Sequence, residues 1–367
     1  MEYTFEMNNA HQDDVSVRNK FRKNGPVAEV FSSMVKGEPI TTKVSDGKIA
    51  DKASKYITTL AKRAEMNDSA AISELNALRV ITIEPVLNQE LKMLNIFGSY
   101  RPLGWNETPY VESYKYVGVE AHQQAEGNDV TFPAIKKERY PIAPVTISGG
   151  HAVNYRQLGL GDAAMENQAM EEVRKMIRNK ATLFVMKTIV DRVENADGVK
   201  YFYENAGLEK TSTDEMLTKI RRFGRPNVIG DYAILSQFTP WLGFSDNTTG
   251  IKGISDALIN EINDNGIVGK YNGSILNEIQ NPYNLLEKKD GNFVPLMPEG
   301  TAFVIPQGGT PATAVQMFSI GGLTSFSGND ATTGEIVTRM DMAFAADVVK
   351  GREYEIGVIQ DTNLTTF

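Results

Sequence analysis

The chain has 367 residues, 41% of them hydrophobic and 23% charged, proportions of a folded protein with room for two or three domains. A formal net charge of -8 argues against broad electrostatic contact with phosphate backbones. The absence of cysteine removes disulfides, thiolate nucleophiles and cysteine zinc sites together.

The N-terminal stretch MEYTFEMNNAHQDD has no basic segment leading into an apolar one, so no secretion signal is expected. No run of eighteen apolar residues occurs, so no membrane-spanning helix is expected. Residues 1–45 are polar, and Gly25-Pro26 and Gly37-Glu38-Pro39 are expected to interrupt any helix there. This segment is read as an arm that lies on its own subunit or, as the favoured reading, on neighbouring copies of the chain.

Ile49, Ala53, Tyr56, Ile57, Leu60 and Ala64 recur at steps of three and four, which predicts a helix over 47–65. A second is predicted after Asp68, with Ile72, Leu75 and Leu78 on one side and further helical turns before Gly98. Residues 109–156 then turn rich in β-branched and aromatic residues. YVESYKYVGVE and VTFPAIKKERYPIAPVTISGG flank a polar AHQQAEGND, which predicts a long two-stranded arm with an acidic tip. A lone hairpin is marginal in water, so an arm of this length needs a surface to lie against.

The strongest periodicity runs over 162–195. Met165, Ala169, Val173, Met176, Ile177, Ala181, Phe184, Ile189 and Val193 form the apolar stripe, Asp162 is the expected N-cap, and Glu166, Glu171 and Glu172 the wet face. Ser212 to Glu215 fits a capping box opening a helix through Arg222. VIGDYAILSQF reads as a strand, 254–262 as a helix, and GKYNGSILNEIQNPYN as a turn, a strand and a Pro-containing loop. GTAFVIPQG, AVQMFSIGG and EIVTRMDMAFAADVVKGREYEIGVIQ are strand candidates, the last turning at Gly351.

Tests for chemistry fail. Gly159-Leu160-Gly161-Asp162-Ala163-Ala164 fits G-x-G-x-x-A but lacks a leading strand and an acidic residue about 20 positions on. Gly266 to Lys270 lacks the upstream glycine and the Ser or Thr of a phosphate loop. His11, His122 and His151 show no metal-ligand spacing. The acidic loops 245–250 and 327–335 do not fit a calcium loop. No catalytic, cofactor or metal residue is assigned.

The order of parts is an N-terminal arm, an extended hairpin, a long helix, a mixed segment and closing strands. YPIAPVTISGG leading into the helix, GKYNGSILNEIQNPYN, and TRMDMAFAADVVKGREYEIGVI carry the same pattern. In this the chain resembles the major capsid proteins of tailed phages, whose fold is named after phage Hong Kong 97. The resemblance covers roughly residues 80–367. It implies an α+β capsid fold with the N-terminal arm and helices at 1–79, the start of a peripheral domain at 80–108 and the extended loop at 109–156. The spine helix and peripheral domain would follow at 157–224, an axial α/β domain at 225–330 and return strands at 331–367.

The function so implied is a self-assembling shell, icosahedral or prolate, built in the host cytoplasm as hexamers and pentamers around packaged double-stranded DNA. Portal, scaffold and decoration proteins are its further implied partners, with no membrane and no cofactor. Some family members crosslink subunits through a Lys and an Asn; Lys136 and Lys137 are available, but no role is assigned to them. Candidate intersubunit contacts are Glu120, Glu126 and Asp129 at the arm tip. Their expected counterparts are Lys136, Lys137 and Arg139 on the arm, or Arg174 and Lys175 on the long helix. An encapsulin-like compartment, a tail or baseplate protein and an α/β enzyme are the competing readings.

Overall fold

The computed structural model describes residues 25–36, 47–116, 135–153, 164–241, 269–289, 291–307, 313–329 and 336–367. The arm tip with Glu120, Glu126 and Asp129, the predicted helix at 254–262, the N-cap Asp162 and the glycines at 159 and 161 lie outside these residues.

Helix α1 (Gly25–Lys36) lies where Gly25-Pro26 predicts a break. Pro26 stands in the first turn, where its missing N–H costs nothing because that donor has no intrahelical partner. Val27, Val30 and Phe31 recur at three and four and are fully buried. The supposed arm therefore contributes a core helix. Helix α2 (Gly47–Glu65) buries Ala53, Ile57, Leu60 and Ala64 as the spacing predicts. Asn67, at φ 61°, turns the chain. Asp68 then caps α3 (Ser69–Leu91), its Oδ1 accepting from the Ala70 amide at 3.0 Å. Arg63 donates to Asp68 from Nε at 2.7 Å, and this hydrogen bond is the main cause holding the Asp68 carboxyl below its ordinary range.

The first turns of α3 are buried almost all round, so Glu74, Asn76 and Arg79 sit inside the protein. Burial of such groups requires partners. Arg79 donates from Nη1 to Asn76 Oδ1 and to Thr338 Oγ1, both at 3.0 Å. Ser327 Oγ donates to Asn76 Oδ1 at 2.7 Å, and the Tyr56 hydroxyl donates to Glu74 Oε2 at 2.5 Å. The network ties the helical layer to two strands more than 250 residues along the chain.

Those strands belong to a four-stranded sheet, ordered β1-β12-β13-β4, formed by β1 (Ser99–Leu103), β4 (Val145–Val153), β12 (Val315–Asn329) and β13 (Ile336–Val348). Register shifts in β12 between Ile320 and Leu323. Gly321 and Gly322 there have φ of +73° and +79°, and a Cβ on Gly321 would stand 2.4 Å from the Trp105 ring. Only glycine meets both conditions.

The long helix α4 (Ala164–Glu194) packs on this sheet, with Met170, Val173, Ile177, Ala181, Ile189 and Val193 buried. Its 31 residues span about 46 Å. Met176, expected in the apolar stripe, is 41% exposed while its neighbour Ile177 is buried. Gly149 of β4 lets this helix approach, since a Cβ there would meet Val173 at 3.0 Å.

The second sheet has six strands in the order β5-β14-β11-β6-β8-β7. They are β5 (Tyr201–Asn205), β6 (Arg225–Gly230), β7 (Lys270–Tyr271), β8 (Ser274–Glu278), β11 (Thr301–Gln307) and β14 (Gly357–Asp361). Helix α5 (Lys210–Ile220) covers it with Met216, Leu217 and Ile220. The expected capping box is displaced: Glu209 precedes the helix, and Ser212 sits inside it with its hydroxyl donating to Glu209 Oε2 at 2.6 Å. The predicted strand VIGDYAILSQF ends at Gly230, because Asp231 caps a helical turn, α6 (Tyr232–Leu235), by accepting from the Ala233 amide at 2.8 Å. Asn272-Gly273, both at positive φ, make the tight turn between β7 and β8.

Candidate assembly surfaces

Two hairpins stand outside both sheets. The first is β2 (Tyr110–Tyr116) with β3 (Ile135–Pro141), paired from Tyr110↔Pro141 to Tyr116↔Ile135. It is shorter than the arm expected over 109–156. The YPIAP run puts Pro141 at the end of β3 and Pro144 before β4, and neither has an amide to donate. Beyond them the chain joins β13 in the four-stranded sheet.

The base of this arm is fixed to the body. Val111 is fully buried with Phe318, Ala345 and Val349, and Leu103, Tyr140 and Ile142 pack around them. The buried Gln316 amide acts as a strand surrogate for β2: its Oε1 accepts from the Glu112 amide at 3.1 Å and its Nε2 donates to the Glu112 carbonyl at 2.9 Å. The Tyr140 hydroxyl donates to the Val348 carbonyl and accepts from the Lys350 amide, each at 3.2 Å. Burial pushes the Tyr140 hydroxyl up to about 12. The Lys350 ammonium lies 5.0 Å from the Tyr140 ring centroid. Alongside, Arg192 from α4 makes a two-point pair with the buried Asp347, at 2.8 and 3.1 Å.

The charged candidates divide. Lys137 and Arg139 both reach Glu112 across the hairpin, at 2.8 and 3.0 Å. The Lys137 hydrogen bond is the main cause lowering the Glu112 carboxyl. Lys136 faces Lys115 in the register. Arg174 lies between Glu171 and Glu90, the latter at 3.5 Å, and so pins α4 to α3. Lys175 stands 3.5 Å from Glu172 on the exposed face. Exposed pairs of this kind are worth about 0–1 kcal/mol each. Gln316, Tyr140 and Glu112 carry more of the arm's anchoring, and no spacing rule selects them.

The second hairpin joins β9 (Tyr283–Lys289) to β10 (Asn292–Pro295). Its base is clasped by Asn281, whose Nδ2 donates to the Met297 carbonyl at 2.7 Å and whose Oδ1 accepts from the Met297 amide at 2.9 Å. At the C-terminal end of α4 a cleft of about 1060 Å³ opens between Asp191, Asp197 and Val199 and, facing them, Lys350, Glu353 and Tyr354.

Among the described residues no group of His, Asp or Glu is placed to hold a metal ion. No described helix is long and apolar enough to cross a membrane.

A family model described as "SPbeta prophage-derived putative capsid protein YonB" matches residues 15–360. No curated protein matches the chain. Among solved structures, one from Gordonia phage Cozz aligns at a TM-score of 0.46 and 11% identity, covering 73% of this chain and 85% of that one. The virus-like particle from Pyrococcus furiosus aligns at 0.44 and 12% identity, covering 77% and 99%. The mature capsid of bacteriophage PhiM1 aligns at 0.44 and 10% identity, covering 73% and 87%.

Proposed function

This chain belongs to the YonB family of prophage-derived capsid proteins, and from that premise we propose that it builds a Hong Kong 97-like shell around packaged double-stranded DNA. Its part in that shell is structural, not catalytic. The observation that carries the reading is the β2–β3 hairpin, which among the described residues pairs with no other strand of its own chain while its base is bolted down by Gln316, Tyr140 and Val111. A projecting two-stranded ribbon is marginal alone. An anchored base fixes its direction, and a neighbouring copy supplies the missing surface.

In this reading 110–141 serves as the extended loop, α4 with the four-stranded sheet as the peripheral domain and its spine, and the six-stranded sheet as the core of the axial domain. Contacts between copies are heterologous and repeated by symmetry into hexamers and pentamers. The acidic composition suits a wall that encloses DNA without gripping it. Portal, scaffold and decoration proteins are further partners, and assembly takes place in the host cytoplasm. An encapsulin-like compartment is less favoured, because the matched family is described as a capsid protein. Reversing Glu120, Glu126 and Asp129 to Lys tests the arm's role. Particle yield is expected to fall while the thermal transition of the unassembled chain stays in place. Normal yield at low salt would remove the tip charges from the contact.

A further inference from the structure

We propose that the β9–β10 hairpin of one subunit docks into the cleft at the end of α4 on a second copy of the chain. The inference rests on the shell reading and names one of its contacts.

The hairpin offers an unpartnered surface. Among the described residues it pairs with no other strand, and it holds Tyr283 and Phe293 61% and 43% exposed, their ring centroids 6.4 Å apart. The Lys288 ammonium lies 5.1 Å from the Phe293 centroid, which adds a cation to the aromatic pair. Exposed aromatics are enriched at interface centres, and the cation beside them favours an acidic partner. The Asn281 clasp on Met297 holds the two legs of the ribbon together at its base.

The cleft is complementary. Val199, 65% exposed, and Tyr354 give it an apolar patch, and Phe223 holds the Tyr354 ring at a centroid distance of 5.3 Å. Its carboxylates are Asp191, Asp197 and Glu353. Its cations are engaged within the subunit: Arg192 by Asp347, Lys350 over the Tyr140 ring. The C-terminal end of α4 adds partial negative charge.

Topology decides which molecule fills it. The hairpin leaves β8 at Glu278 and returns at Thr301, where Thr301 pairs with Gln360. The cleft residues Val199, Glu353 and Tyr354 precede Tyr201 and Gly357, the paired starts of β5 and β14. Hairpin and cleft thus sit at opposite ends of the six-stranded sheet, a strand length of about 20 Å apart. One subunit cannot fill its own cleft this way, so the contact runs head to tail between copies and propagates. Two rings cover roughly 300–500 Å², below the ~800 Å² per partner of an interface that stands alone. The contact therefore acts with others in the shell.

Because the chain has no cysteine, thiols can be placed one at a time. Particles of the full-length Phe293→Cys, Val199→Cys double variant are treated with a short bis-maleimide and resolved on a denaturing gel. The single variants and a Phe293→Cys, Met66→Cys pair serve as controls, Met66 being 82% exposed in the turn between α2 and α3. A ladder of covalent multimers confined to the Phe293/Val199 pair is expected. Particles without that ladder, or with an equal ladder in the Met66 control, overturn the docking and leave the shell intact. Failure of the unsubstituted chain to form particles overturns both. As a second measurement, Lys288→Glu is expected to reduce particle yield and Asp197→Lys added to it to restore yield; no reduction, or no restoration, also counts against the docking.

Discussion

Replacing Gln316 by Ala should loosen the arm without unfolding the body. The side chain makes two hydrogen bonds to one residue, the Glu112 amide and carbonyl, at 3.1 and 2.9 Å. Gln316 is 3% exposed, so its removal leaves two backbone groups facing a small void at the arm base. A buried polar group left without a partner costs about 1–3 kcal/mol. Glu112 itself is half-buried, which lets water recover part of that, so the total for both groups is held to the same range. Through tenfold per 1.4 kcal/mol, local opening at Glu112 should become roughly 5- to 150-fold more frequent. Hydrogen exchange of the Glu112 amide reads this directly, and amides of β11, in the other sheet, serve as reference. Particle yield should fall in parallel. Unchanged exchange at Glu112 with unchanged yield would refute the claim that this amide sets the arm's direction.

Three further outcomes follow from the body. Arg79→Leu takes a buried donor from Asn76 and Thr338 and should cost about 1–3 kcal/mol, read by denaturant unfolding. Gly321→Ala meets the Trp105 ring at a positive φ and should cost about 1–3 kcal/mol in the same assay, whereas Gly198→Ala, with nothing near its Cβ, should be nearly neutral. The Asp68 carboxyl is held low chiefly by Arg63. Its contribution is present above the ordinary aspartate range and is lost as pH falls through the lowered folded value, so an acid titration of stability should flatten there in Asp68→Asn.

Much of the helical layer was legible because its core positions repeat at three and four: Ala53, Ile57, Leu60 and Ala64, then Val173, Ile177, Ala181 and Ile189. Asp68 announced a helix start that the structure uses. The misses have separate physical causes. Pro26 looks like a breaker in sequence, although a first-turn proline breaks nothing. The Asp231 cap lies inside an apolar run whose composition is that of one strand. The split of the expected arm depends on which strand β4 meets, and β13 lies almost 200 residues further on. The anchors at Gln316 and Tyr140 are long-range contacts of single residues, which leave no periodic trace. Lys137 and Arg139, expected between copies because their charge complements the acidic tip, also reach Glu112 of their own hairpin, a pairing that only the strand register reveals.

The central claim is that the chain closes a shell by laying its anchored β2–β3 arm on a neighbour. Electron cryo-microscopy of the purified full-length chain tests it most directly. The account predicts closed particles in which density for residues 110–141 lies against a second subunit. A monodisperse monomer, or particles in which that hairpin folds back on its own subunit, would contradict it.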